Sequence, residues 1–163
     1  MRVPTNTNTT EIEIKKSRFV AYACPCSDLK DIKETVNKIR MANPGANHVV
    51  HAAVVGTQFS CSDDKEPKNT AGRPSLEVLK GSGITNILVC IARYFGGTLL
   101  GTGGLVKAYS LSVQKVILDL QTEELIERNH FSFTLDYGKF DQVKIILNSL
   151  EAIDITENFE SEI

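Results

Sequence analysis

Five of the chain's eleven glycines, Gly96, Gly97, Gly101, Gly103 and Gly104, fall within nine residues, between an apolar run and a helical pattern. Glycine admits backbone conformations closed to other residues and lets a ligand come up against the main chain. The unsatisfied N–H groups at the start of the following helix favour an anion. The string GGTLLGTGG has neither the Lys-Ser/Thr ending of a P-loop nor a GxGxxG spacing. Two roles fit it: a tight strand-to-helix connection packed close to a sheet, or a cradle for phosphate or an RNA backbone. Arg93, Tyr94 and Phe95 come immediately before it. A guanidinium beside two aromatic rings suits phosphate binding and base stacking. Side chains at a strand end alternate faces, so one ring belongs to the core, and Phe95 is the expected one. Arg93 then serves either a ligand or a structural carboxylate. Lys107, early in the following helix, adds a further candidate for an anion.

A second group of residues suits acid–base work. Asp63, Asp64 and Glu66 cluster in the polar stretch TQFSCSDDKEPKNTAGRP, where they could bind a divalent cation, act as acid or base, or simply be solvated. His48 and His51, three apart on a strand, point to opposite faces and cannot share a metal. His48 beside the acidic loop is a candidate general base, and a packed, hydrogen-bonded histidine is the alternative. Cys24 and Cys26 have no paired base nearby, and no nucleophile–His–acid series emerges. No metal site and no cofactor are expected.

The elements that must position these residues follow from periodicity. Residues 1–10, MRVPTNTNTT, offer little to bury and are expected to form a flexible arm. EIEIKKSRFVAYAC alternates as two short strands broken near Lys16-Ser17. Ser27 is placed to cap a helix from Asp28 to about Met41, with Leu29, Ile32, Val36 and Ile39 in one apolar stripe. HVVHAAVVG reads as a strand, the polar stretch after it as a long loop, and Ser75–Lys80 as a short helix. NILVCIA is the central core strand. Leu105, Tyr109, Val113, Val116 and Leu120 recur at helical spacing after the glycines. Beyond Thr122, HFSFTLDYG predicts a strand, Phe140 to Leu150 a helix and AIDIT a second strand. Such a unit cannot cover its own apolar faces.

At 42% hydrophobic and 23% charged, the 163-residue chain has an ordinary globular composition. No apolar run reaches the ~18–20 residues of a membrane span, and no apolar signal core opens the chain. Four cysteines without zinc-finger spacing read as reduced thiols of a cytoplasmic protein. Charge divides unevenly: 15 Lys/Arg against 10 Asp/Glu in residues 1–122, but 3 against 10 in residues 123–163. The split into +5 and −7 predicts two modules, the first suited to RNA, phosphate or an acidic partner.

KKSRFVAYA, the His48 segment, SDDKEPKNTAGRP and above all ARYFGGTLLGTGGLVKAYS together resemble the YigZ/IMPACT family over roughly residues 13–120. The chain departs at Lys65, where bacterial members usually carry Gly before Glu-Pro. The resemblance implies an α/β (α+β) fold with a ribosomal protein S-five domain-2-like N-terminal domain over residues 11–122. It also implies that residues 123–163 are the opening β-α-β of a ferredoxin-like domain similar to part of elongation factor G, cut short. In such a fragment the strand edge left open invites self-association through residues 123–163. Eukaryotic members act in translational control under amino-acid starvation, by competing for a ribosome-associated kinase activator. Some members carry a peptidase label, for which this sequence holds no metal-ligand or nucleophile pattern.

The expectation is a non-catalytic, translation-linked regulatory protein that binds RNA, a ribosome-associated protein or both, with no membrane partner. Its anion-binding candidates are Arg93, Tyr94, the five glycines and Lys107. The alternatives are an enzyme, a hydrolase or phosphate-handling protein working through His48, Asp63, Asp64 and Glu66, and a regulator with protein partners only.

Overall fold

The computed structural model describes residues 1–160. They divide into two compact units, the first spanning Met1–Ile126 and the second beginning at Glu127. The fold is mixed α and β. In the first unit, β2 (Asn8–Ile14), β3 (Ser17–Pro25), β4 (His48–Val55), β5 (Gln58–Ser62) and β6 (Ile87–Tyr94) form an antiparallel sheet in the order β2-β3-β6-β4-β5. Helices α2 (Gly72–Gly81) and α3 (Gly101–Leu118) cover one face, and α1 (Ile32–Ala42) covers the other. Central β6 is therefore buried on both sides. Ile87, Val89 and Ile91 pack toward α2 and α3, while Leu88, Cys90 and Ala92 pack toward α1. That double burial is why its sequence is continuously apolar rather than alternating.

Residues 1–10 are not a flexible arm. β1 (Arg2–Pro4) pairs antiparallel with β7 (Thr122–Glu124), and β2 already begins at Asn8. Arg2 donates from Nε to Thr122 Oγ1 at 2.7 Å, and Asn8 Nδ2 donates to the Val116 carbonyl at 2.8 Å. Low hydrophobicity hid these residues because backbone and side-chain hydrogen bonds, not apolar burial, tie them down.

Asp28, not Ser27, accepts the capping bond, from the Lys30 N–H, and a 3-10 turn over Leu29–Asp31 leads into α1. The stripe of Leu29, Ile32, Val36 and Ile39 packs as expected. The polar stretch after β4 opens as β5, joined through the two-residue turn Gly56–Thr57. An edge strand with one apolar side chain leaves almost no periodic signal. Leu105, Tyr109, Val113, Val116 and Leu120 are all buried.

In the second unit, α4 (Phe140–Ser149) forms, but the segments expected as strands at residues 130–138 and 152–156 do not. A strand exists only through a neighbour's hydrogen bonds. Phe131 is 84% exposed, and Val143 and Leu147 of α4 are half-buried while Ile146 and Leu150 are exposed. Tyr137, Phe140 and Phe159 gather into a ring cluster with centroids 5.5–6.3 Å apart. No helix of the described residues is long and apolar enough to cross a membrane.

Candidate functional site

The carboxyl end of β6 is where the sequence places its unusual residues, and strand alternation sorts them. Arg93 follows Ile91 toward α2 and α3, between its cross-strand partners Phe19 and His48. It is 6% exposed. Its Nη1 donates to both carboxylate oxygens of Glu66, at 2.7 and 3.0 Å, and Tyr109 Oη donates to Glu66 Oε1 at 2.7 Å. The guanidinium also lies 5.6 Å from the Phe19 ring centre and 5.8 Å from that of Phe95, while its Nε has no hydrogen-bond partner among the described residues. Burial, and then the Glu66 charge, push the Tyr109 phenol far above its ordinary range, so it stays a neutral donor. Arg93 is thus spent on a structural carboxylate inside the core.

His48 belongs to the same group. Its Nδ1 donates to the Asp64 carbonyl at 2.8 Å, and its Nε2 stands 3.8 Å from Glu66 Oε2. His51 points to the other face, 3.2 Å from Ser60 Oγ, and burial lowers its pKa. The three acids do not converge. Asp63 accepts from the Asn69, Ala71 and Gly72 N–H groups and so holds the start of α2. Asp64 Oδ2 accepts from the Val49 N–H at 2.6 Å and from Arg40 at 3.0 Å. Glu66 alone enters the core. All three carboxylates hold partners within the fold, Asp63 and Asp64 backbone amides and Glu66 the Arg93 and Tyr109 side chains. Among the described residues, no group of three or more His, Cys, Asp or Glu gathers to hold a metal. The four cysteines are free, and burial pushes the Cys24, Cys26 and Cys90 thiols up.

Tyr94 alternates to the α1 face, where its hydroxyl donates to Asn43 Oδ1 at 2.7 Å and the Arg18 guanidinium lies 4.8 Å from its ring centre. Phe95, expected inside, is 47% exposed. β6 ends at Tyr94, and the Phe95 N–H bonds to Asn47 Oδ1 at 2.8 Å, so the ring leaves the strand's alternation. Gly96 comes next, and a Cβ there would sit 2.1 Å from the carbonyl group of Lys16. Only glycine lets the two backbones meet. Gly97 and Gly101 have φ of +85° and +73°, Gly103 is exposed, a Cβ at Gly104 would lie 3.1 Å from Leu100 Cβ, and Lys107 is exposed on α3. No side chain caps the start of α3.

Sequence reasoning passed over Lys15 and Lys16 as site residues. They form the two-residue turn between β2 and β3, with φ of 47° and 65°. Their signal was a pair of lysines at the break between two alternating runs. The outer surface here includes Lys15, Lys16, Phe95 and Gly97, the exposed Glu13 and Arg18 beside the turn, and the exposed Leu99 on the glycine connection, with Gly96 half-buried between them.

The family model described as the Impact N-terminal domain matches residues 15–117. An IMPACT family member of Haemophilus influenzae is 38% identical over 99% of this chain and 81% of its own length. The IMPACT family member YigZ of Escherichia coli is 34% identical over 98% and 80%. A crystal structure of a hypothetical protein superposes with a TM-score of 0.77 at 34% identity, covering 98% of this chain and 80% of that one. The strand-end motif, the glycine connection and the loop that supplies Glu66 all lie inside the matched region, and the chain belongs to the IMPACT family.

Proposed function

We propose that this chain is a non-catalytic, translation-linked regulatory protein of the cytoplasm, binding RNA or a ribosome-associated protein through the surface at the end of β6. One observation carries the reading. The groups suited to catalysis are satisfied internally, whereas the cations and the aromatic ring at the same sheet end face solvent. Arg93 is neutralised by Glu66, and Asp63 and Asp64 hold backbone amides. Lys15 and Lys16 make no salt bridge among the described residues, and Phe95 is half-exposed. The excess of five positive charges in residues 1–122 and the translational role implied by the family resemblance support the same reading. In the second unit the exposed Ile145 and Ile146 of α4 and Leu150 just after it support self-association through residues 123–163.

The test is a pull-down from lysate with and without nuclease, followed by sedimentation of the captured material. Ribosomal components should be enriched and should be lost from a Lys15→Asn/Lys16→Gly/Phe95→Ala variant. Equal recovery by that variant, or no ribosomal material at all, would sink the proposal.

A further inference from the structure

Two lysines occupy the positions that a two-residue hairpin normally gives to Asn-Gly. With Ile14 paired to Ser17, Lys15 and Lys16 are the whole turn, and both have positive φ, the signature of a type I′ turn. A side-chain-bearing residue held there carries a modest strain, but Asp64, Lys65, Asn69, Asn86, Glu151 and Asp154 share a positive φ, so what points to a use for this pair is where the turn lies. The turn's position gives that use a direction. Lys16 is the residue whose carbonyl group packs on Gly96, so the lysine pair and Phe95 are held on one rigid edge by a contact only glycine allows. The Phe95 backbone is fixed from the other side by Asn47, and its ring is backed by the buried Arg93 guanidinium, 5.8 Å from the ring centre. Of the acids around this edge, Glu11 pairs with Arg18 at 2.7 Å and Glu66 with Arg93, while the exposed Glu13, two residues before Lys15, makes no salt bridge among the described residues and leaves the turn with a local excess of one positive charge.

We infer that this edge is a single-stranded RNA site, in which Lys15 and Lys16 contact backbone phosphates and an unpaired base stacks on Phe95. The inference deepens the function proposed above and rests on it. Duplex RNA keeps its base faces inside the helix, so it could use the lysines but not the ring. A single strand uses both.

The experiment is a fluorescence-anisotropy titration of the full chain with a labelled oligouridylate of about twelve nucleotides, and with an RNA duplex of the same length. The single strand should bind more tightly. Its Kd should rise about sevenfold between about 50 and 200 mM salt, the expectation for two neutralised phosphates on a single strand. Phe95→Ala should weaken the single strand roughly tenfold or more and leave the duplex unchanged, with Phe95→Trp restoring binding. Lys15→Asn/Lys16→Gly should abolish most of the salt dependence while raising the melting temperature, which separates lost binding from lost folding. Equal affinity for both RNAs with Phe95→Ala silent would overturn the stacking site. Ribosome association that survives nuclease, with no oligonucleotide binding, would overturn the RNA inference and leave the translation-linked function standing. Absence of both would remove the two together.

Discussion

Arg93 and Glu66, 27 residues apart, meet in the core of the first unit with N–O distances of 2.7 and 3.0 Å, each less than a tenth exposed. The pair joins the polar loop after β5 to the end of β6. Removing one partner leaves an uncompensated buried charge, which costs about 3–5 kcal/mol. Glu66→Ala and Arg93→Ala should each lower stability by that amount in urea unfolding. An apolar pair of similar volume, Glu66→Leu with Arg93→Met, should recover most of it. A double variant as unstable as the sum of the two single ones would show that the residues do not act as a pair.

Gly96 predicts the opposite kind of failure, one of space rather than charge. A methyl group at that position meets the Lys16 carbonyl group at 2.1 Å, and the obstacle is backbone, so rotamer change gives no escape. Gly96→Ala should cost about 3 kcal/mol, the upper range for overpacking, while Gly103→Ala, with nothing within 4 Å, should be tolerated. Equal melting temperatures for the two variants would contradict the close approach.

The Tyr109 phenol makes stability fall in alkali. Its folded pKa is raised, by burial first and then by the Glu66 charge. The unfolded chain loses that proton above about pH 10 while the folded chain keeps it. Stability is therefore intact below that pH and declines as pH rises beyond it. Tyr109→Phe should lose about 1–2 kcal/mol at neutral pH, through the missing bond to Glu66, and should show a shallower decline above pH 10. Parallel pH profiles for the two proteins would show that another group carries the alkaline limb.

Self-association through residues 123–163 should appear in light scattering as a mass that rises with concentration. The exposed apolar residues of α4 motivate it, and Ile146→Glu/Leu150→Glu should hold the chain at monomer mass. A constant monomer mass for the unsubstituted chain would end the idea.

Periodicity alone determined most of the first unit. β3, β4, β6, α1 and α3 were legible because each buries a face whose spacing matches its element, as with Leu105, Tyr109, Val113 and Val116 along α3. β1 and β5 were not, because edge and short strands are held by a partner's backbone, and the partners Thr122–Glu124 and His51–Val55 are distant or polar-flanked in sequence. The strands expected after residue 129 failed for the same reason in reverse: the pattern was present, but no neighbour among the described residues supplied the hydrogen bonds.

For the candidate site, residue types marked the place and only tertiary structure assigned the roles. The sequence gathers Arg93, Tyr94, Phe95 and the glycines at one strand end, and it cannot say which charge is already neutralised. That depended on Glu66 folding inward from a loop 27 residues away and on Tyr109 arriving from α3 to bond the same oxygen. It also depended on Gly96 meeting Lys16 across 80 residues of chain, which turned two turn lysines into neighbours of an exposed ring. Electrostatic pairing and backbone contact act through space, and a linear pattern records only what lies next to itself.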